Sequence, residues 1–168
     1  MSALVVVDGP AAPSFAPLTS ARPLGAVRAG ARLVHERWGT VFGRPVDGLV
    51  AREALAGFEE PGQPPLLAGD AVLAAGTIVA WSDVAPALTA APPDADAWIL
   101  DGRVVAVRLA RALPAAALDA AAPESVMTTG GRPAPLTGWA LHAPWDLIGH
   151  LPAMLAADAA VLAAAAPP

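Results

Sequence analysis

Ala97-Trp98-Ile99-Leu100-Asp101-Gly102-Arg103-Val104-Val105-Ala106-Val107 is the stretch on which the fold turns. Two apolar, β-rich runs meet at Asp-Gly. A type I′ turn needs positive φ at both central residues, and Asp-Gly supplies this at low steric cost, so the stretch predicts a tight antiparallel hairpin.

Towards the N-terminus, Leu4 to Val7 is a short β-branched run closed by Asp8-Gly9-Pro10, which predicts a buried first strand and a turn. The three prolines between Ala11 and Pro23 make that segment a loop. Val27, Ala31, Val34, Trp38 and Val41 recur at helical spacing, with Arg28, Arg32 and Glu36 on another face, so an amphipathic helix is expected over Gly25 to Phe42. Val46 to Val50 reads as a second strand, Ala51 to Phe58 as a short helix, and Glu60 to Pro65 as a loop. Leu66 to Leu73 reads as a third strand and Gly76 to Leu88 as a helix. Beyond the hairpin, Leu109 to Ala121 suits a helix, Pro123 to Pro135 a loop with a Gly130-Gly131 flexible point, and Thr137 to His142 a strand. Trp145 to Ala166 is helical in composition, with Asp146 as N-cap and Pro152 marking a kink or a later start. Strands alternating with helices indicate an α/β domain with a largely parallel sheet plus one antiparallel hairpin.

Composition narrows the chemistry. The 168 residues are 55% hydrophobic, but 43 of them are alanine, which adds little burial energy per residue. No window reaches the ~18 to 20 strongly apolar residues of a spanning helix. The first residues carry no basic segment and meet Asp8 early, unlike a secretory signal, so a soluble cytoplasmic protein is expected. With no cysteine, disulfides, thiolate nucleophiles and thiolate-bound zinc are excluded. All ten basic residues are arginine, and lysine and tyrosine are absent, which removes Schiff-base and tyrosine acid–base chemistry. A net charge of −5 without a basic run argues against a nucleic-acid partner. With three histidines, a metal site would rest on carboxylates and favour a hard cation such as magnesium.

No Gly-x-Gly-x-x-Gly, phosphate loop or Gly-x-Ser-x-Gly elbow is present. Ser82, His142 and Asp146 make a triad only on paper. The loop after the first strand carries more weight. Ligands of α/β sheets bind at the carboxyl ends of the strands, and a loop there offering Arg22, Arg28 and backbone N–H groups can hold an anion. The alternative is a proline-stiffened loop whose arginines pair with Asp8 and Glu36.

Asp8-Gly9-Pro10, Pro17-Leu18-Thr19, Arg22-Pro23, Arg28-x-Gly30 and Glu36-Arg37-Trp38 together resemble the opening of the sugar nucleotidyltransferases related to bifunctional N-acetylglucosamine-1-phosphate uridylyltransferase. The stretch 97–106 and Pro144-Trp145-Asp146-Leu147 agree in order and spacing, so the resemblance spans most of the chain. It implies a nucleotidyltransferase-like, Rossmann-like fold over residues 1–162, with 163–168 an Ala/Pro tail or linker. The implied reaction joins a nucleoside triphosphate and a sugar 1-phosphate into a nucleotide sugar, releasing pyrophosphate with Mg2+. Arg22 would contact phosphate, with Arg28 a second candidate. Asp70, in Leu66-Leu67-Ala68-Gly69-Asp70, and Asp146 would hold the metal, and Asp8, Thr19 and Gly69 would help bind substrate. A following left-handed β-helix domain outside this chain and a homo-oligomer are possible partners.

The family's Gly-x-Gly-Thr-Arg loop has no match here, since Pro10 to Ala16 occupy its place. A triphosphate thereby loses a cradle of backbone N–H groups. Without lysine, an arginine must replace the basic contact to the sugar phosphate, and the two cations differ in geometry and hydration. Each residue also has a plainer reading: Asp70 a turn, Asp146 a helix cap, Arg22 and Arg28 loop bridges, His35, His142 and His150 surface or capping groups. The rival function is a catalytically degenerate domain that binds a nucleotide sugar or serves as an assembly scaffold.

Overall fold

The computed structural model describes residues 2–118, 123–127 and 130–165. In chain order, β1 (Leu4–Val7) is followed by 3-10 turns and the two-residue strands β2 (Arg28–Ala29) and β3 (Arg32–Leu33). Then come α1 (Val34–Val41), β4 (Gly48–Val50), β5 (Val72–Leu73), β6 (Ile78–Trp81) and β7 (Val84–Pro86). The hairpin β8 (Ala97–Leu100) and β9 (Arg103–Arg108) leads to β10 (Leu113–Pro114), α2 (Pro123–Val126), β11 (Pro133–Pro135) and β12 (Gly138–Ala140). Two helices, α3 (Pro144–Gly149) and α4 (Leu151–Ala165), close the described chain.

One six-stranded sheet, in the order β11-β8-β9-β6-β1-β4, organises the molecule. β1 is parallel to β4 and β6, β8 is parallel to β11, and β9 alone runs against its neighbours. Small antiparallel pairs, β5 with β10, β7 with β12 and β2 with β3, lie outside it. The expected mixed α/β architecture is therefore present. Asp101 and Gly102 at the hairpin tip have φ of 50° and 80°, as a type I′ turn requires.

The parallel neighbours β1 and β6 are buried along their whole length, which is the pattern of parallel strands covered on two faces. Leu4, Val6, Ile78 and Ala80 join Phe15, Leu24, Trp38 and Met154 in the larger core. Val5, Val7, Val79 and Trp81 pack on the other face with Leu73, Leu109 and Leu118.

Several local expectations are corrected. The segment 76–88 is not a helix but β6 and β7, because its β-branched residues fill the centre of the sheet. The helix expected over 25–42 shrinks to α1. Before it the chain turns at Gly30, whose φ is +68°, and pairs Arg28 with Leu33. Glu36 starts α1 by accepting the Leu33 N–H at 2.7 Å. Gly43, at φ +63°, ends it: the Gly43 and Arg44 N–H groups reach the Thr40 and Gly39 carbonyls, closing a Schellman motif. The helix expected over 51–58 is a single 3-10 turn at Glu53–Leu55. In 66–73 only Leu66 bridges the main sheet, parallel to Leu49, before β5 leaves it. Of 109–121, residues 113–118 form β10 and a 3-10 turn, and 119–121 lie outside the described residues. The loop expected over 123–135 holds α2 and β11, with 128–129 outside the described residues. The last helix breaks at His150, leaving Pro152 in the first turn of α4 where no N–H is required. α4 continues to Ala165, into the expected tail; residues 166–168 lie outside the described set.

Arg37 and Asp158, both with 0% exposed side chains, lock α4 onto the body. Arg37 Nη1 reaches both Asp158 oxygens at 2.8 Å, its Nε donates to the Pro86 carbonyl, and Asp158 also accepts the Ala31 N–H. Among the described residues no helix is long and apolar enough to cross a membrane.

Candidate active site

The carboxyl ends of β4, β1 and β6 lie side by side, followed by Ala51-Arg52, Asp8-Gly9 and Ser82-Asp83. The strands stay joined to their tips: the Asp8 N–H donates to the Val50 carbonyl at 2.8 Å and the Ser82 N–H to the Val7 carbonyl at 2.9 Å. Because β9 runs antiparallel, its first residue, Arg103, enters at this same edge. Gly9 is required by packing, since a Cβ there would sit 2.5 Å from Trp81 Cδ1.

Asp8 is buried at the middle of this edge and accepts three hydrogen bonds. Ser82 Oγ and the Gly25 N–H reach Oδ1 at 2.8 and 3.2 Å, and the Leu24 N–H reaches Oδ2 at 2.8 Å. Burial raises its pKa above the ordinary value, against the lowering effect of these donors and of the Arg52 charge. Its lone pairs hold the 3-10 turn Leu24–Ala26 against the strands, so it shapes the edge as an anchor. Thr19 is also buried; its hydroxyl donates to the Ala12 carbonyl at 2.9 Å and its own carbonyl accepts Arg52 Nη2.

Four polar atoms at this edge are buried without a partner: Arg52 Nε, Trp81 Nε1, Asp83 Oδ1 and Arg103 Nη2. Asp83 Oδ2 accepts Arg103 Nη1 at 2.7 Å, which fixes both groups and leaves Oδ1 open. A buried unmade hydrogen bond costs about 1 to 3 kcal/mol, and these four lie on adjoining strand ends, where polar ligand atoms would satisfy them. Beside β4 lies a cavity of about 460 Å³, lined by Arg52, Glu53, Leu67, Gly69 and Ala116 among others.

The sequence-derived site residues are not brought together. Asp8 and Thr19 lie at the edge. Gly69 lines the cavity, and its carbonyl accepts the Ala116 N–H at 2.8 Å. Asp70 is exposed in the turn before β5. Arg22, on the surface, lies 3.9 Å from Glu60, and Arg28 donates across its own hairpin to the Ala31 carbonyl. Asp146 sits inside the first turn of α3 and accepts the His142 and Ala143 N–H groups at 2.7 and 2.9 Å, which lowers its pKa. No hydrogen bond, ion pair or cavity wall joins Asp70 to Asp146 among the described residues. His35, expected at the surface, is buried, with Nδ1 3.0 Å from the Gly25 carbonyl.

Arg52, Ser82, Asp83 and Arg103 are the residues that sequence reasoning missed. The available signal was Trp81-Ser82-Asp83, a carboxylate closing a β-branched run as Asp8 closes β1. Among the described residues no three His, Asp or Glu side chains gather as a metal cluster. Magnesium needs less protein than that, since it keeps several waters and binds through one or two carboxylates together with substrate phosphates. The open Oδ1 of Asp83 fits such a role.

Residues 4–166 match the family model described as sugar nucleotidyl transferase. Neither a curated protein nor a solved structure matches the chain.

Proposed function

We propose, from the premise that this chain belongs to the sugar nucleotidyl transferase family, that its strand-end edge transfers a nucleotidyl group from a nucleoside triphosphate to a sugar 1-phosphate. A phosphate oxygen of the sugar 1-phosphate forms the new bond to the α-phosphorus, the bond between that phosphorus and the β-phosphate oxygen breaks, and pyrophosphate leaves. Little covalent work is asked of the protein; it has to position the reactants and offset charge. Arg52 and Arg103 supply planar cations for phosphate oxygens on either side of Asp8-Gly9. Asp83 would hold Mg2+, which when bound neutralises charge on the phosphates. Arg22, exposed on the loop after β1, can reach a bound phosphate only by leaving Glu60, a pair too solvated to hold it strongly.

The observation that carries this reading is the set of four unpartnered polar atoms on neighbouring strand ends. The test is pyrophosphate release over a panel of nucleoside triphosphates and sugar 1-phosphates with Mg2+. Loss of one cation at developing charge predicts that Arg52→Gln lowers kcat/KM about 100-fold, and Asp83→Asn is expected to raise the Mg2+ concentration needed for half-maximal rate.

One feature favours the second reading, a domain that binds nucleotide sugar without turnover. The segment where active relatives place a glycine-rich loop is wound here into 3-10 turns, and its Thr19 carbonyl is already engaged by Arg52. Thermal stabilisation by nucleotide sugars with no pyrophosphate release would establish that reading, and neither response would leave only an assembly scaffold.

A further inference from the structure

A second group of unpartnered polar atoms lies away from the strand ends. Arg32 Nε, Arg44 Nε and Gln63 Oε1 are all buried without hydrogen bonds, and all three residues line one groove of about 640 Å³. One wall is the outer face of α1, where His35, Glu36, Gly39 and Thr40 succeed one another over ~8 Å of helix. The other wall is the Gly62–Pro64 loop. From these features we infer that the groove is a second ligand site, distinct from the strand-end edge, for a small hydroxylated anion.

The donors and acceptors are sorted along it. Arg32 is held in place because its Nη1 donates at 3.2 Å to Thr40 Oγ1, which itself donates to the Glu36 carbonyl at 2.9 Å. At the other end the Schellman turn fixes the backbone of Arg44, and the distant contact of its guanidinium with Asp47, at 3.9 Å, leaves its donors available. Among the described residues Glu36 makes no ion pair with either guanidinium, and its Oε2 accepts the Leu33 N–H. His35 adds no charge: burial lowers its pKa, and because the Gly25 carbonyl can only accept, the ring proton sits on Nδ1 and Nε2 is left an acceptor. Two cations, one of them held by Thr40, therefore suit an anionic group rich in oxygen, while Gln63 Oε1 and the His35 ring suit hydroxyl donors. A neutral polyol would leave the guanidinium groups unused, and a bare phosphate would leave the acceptors unused.

The groove is tested with amide-resolved NMR titration of the whole chain with glycerol 3-phosphate, inorganic phosphate and glycerol. Saturable shifts are expected at the Gly39, Gly43 and Gln63 amides, with glycerol 3-phosphate tightest and glycerol silent. Arg32→Gln and Arg44→Gln should each weaken glycerol 3-phosphate at least tenfold, and Arg44→Lys, which keeps charge and fold, should weaken it less. Arg52→Gln should leave these shifts unchanged, which separates this site from the proposed transferase edge. Shifts confined to Arg52, Ser82 and their neighbours, no saturable shift, or equal binding by Arg44→Gln would each overturn the inference.

Discussion

Asp8 and Asp158 are both buried carboxylates that tie distant segments together, yet they are held in opposite ways. Asp158 meets a cation directly, with both oxygens 2.8 Å from Arg37 Nη1. Asp8 meets only neutral donors, Ser82 and the Leu24 and Gly25 N–H groups, with Arg52 acting on it as a charge without a bond. The first arrangement pairs charge with charge, and of the Arg37 guanidinium only Nη2 is left without a partner. The second leaves a net negative centre surrounded by unpartnered Arg52, Trp81 and Asp83 atoms. Two buried carboxylates thus do different work: α4 is fixed by a buried ion pair, while Asp8 faces neutral donors at the strand ends.

Breaking the complete pair should have the largest effect. Arg37→Met strands Asp158 in a fully buried site and is expected to lower stability by about 3 to 5 kcal/mol in urea unfolding. Arg37→Met with Asp158→Leu should recover a large part of that loss, because no charge is then left without its partner. A double variant as unstable as the single would show that the pair's hydrogen bonds to the Pro86 carbonyl and the Ala31 N–H matter more than its charge.

Asp8→Asn tests the other side of the contrast. The amide cannot accept at both ends, so one of three donors loses its acceptor, for an expected loss of about 1 to 2 kcal/mol. The pH dependence carries more information. Burial raises the Asp8 pKa above 3.8, so the folded state binds this proton more readily than the unfolded chain. Its stabilising contribution is complete below 3.8 and fades as pH rises through the higher folded value. The stability difference between the parent protein and Asp8→Asn should therefore shrink as pH climbs. A difference that grows with pH would mean that the donors around Asp8 outweigh its burial.

The sequence shows β1 and the β8–β9 hairpin because each announces itself locally, one by a β-branched run and the other by Asp101-Gly102. β6 escapes the same reading. Buried on all four residues, it has no alternation to distinguish a strand from a buried helix, and Thr77-Ile78-Val79-Ala80-Trp81 is ambiguous without its neighbours. That one misreading hides much of the candidate site, since Ser82 and Asp83 reach the edge only if β6 lies beside β1. Arg52 likewise depends on the parallel pairing of β4, and Arg103 on the reversal of β9. In the α1 region, Val27 and Ala31 fall at helical spacing by coincidence, while Gly30 turns the chain at an angle a periodicity count does not register. Asp8 and Thr19 were legible as residues of the edge. Their work as anchors was not, because it consists of contacts with Ser82 and Arg52, 74 and 33 residues away.

Asp146 provides the smallest effect and the sharpest check on the contrast, since it does an anchor's work without deep burial. Its carboxylate accepts the His142 and Ala143 N–H groups at the start of α3, and Asp146→Ala is expected to cost about 1 kcal/mol, the usual loss for a helix cap. Here the His142 N–H is the largest influence and outweighs desolvation, and the Ala143 N–H with the nearby His142 and His150 adds to it, so the pKa is held below 3.8. A lowered carboxylate contributes fully above 3.8 and loses that contribution as pH falls through its folded value. The difference between the parent protein and Asp146→Ala should thus grow as pH rises towards 3.8 and then level off, whereas the Asp8→Asn difference shrinks only above 3.8. Both carboxylates accept backbone N–H groups, so opposite slopes would isolate burial as the cause of the contrast. Parallel slopes would instead mean that the count of donors governs both, and that the strand-end edge is no more electrostatically open than a surface helix cap.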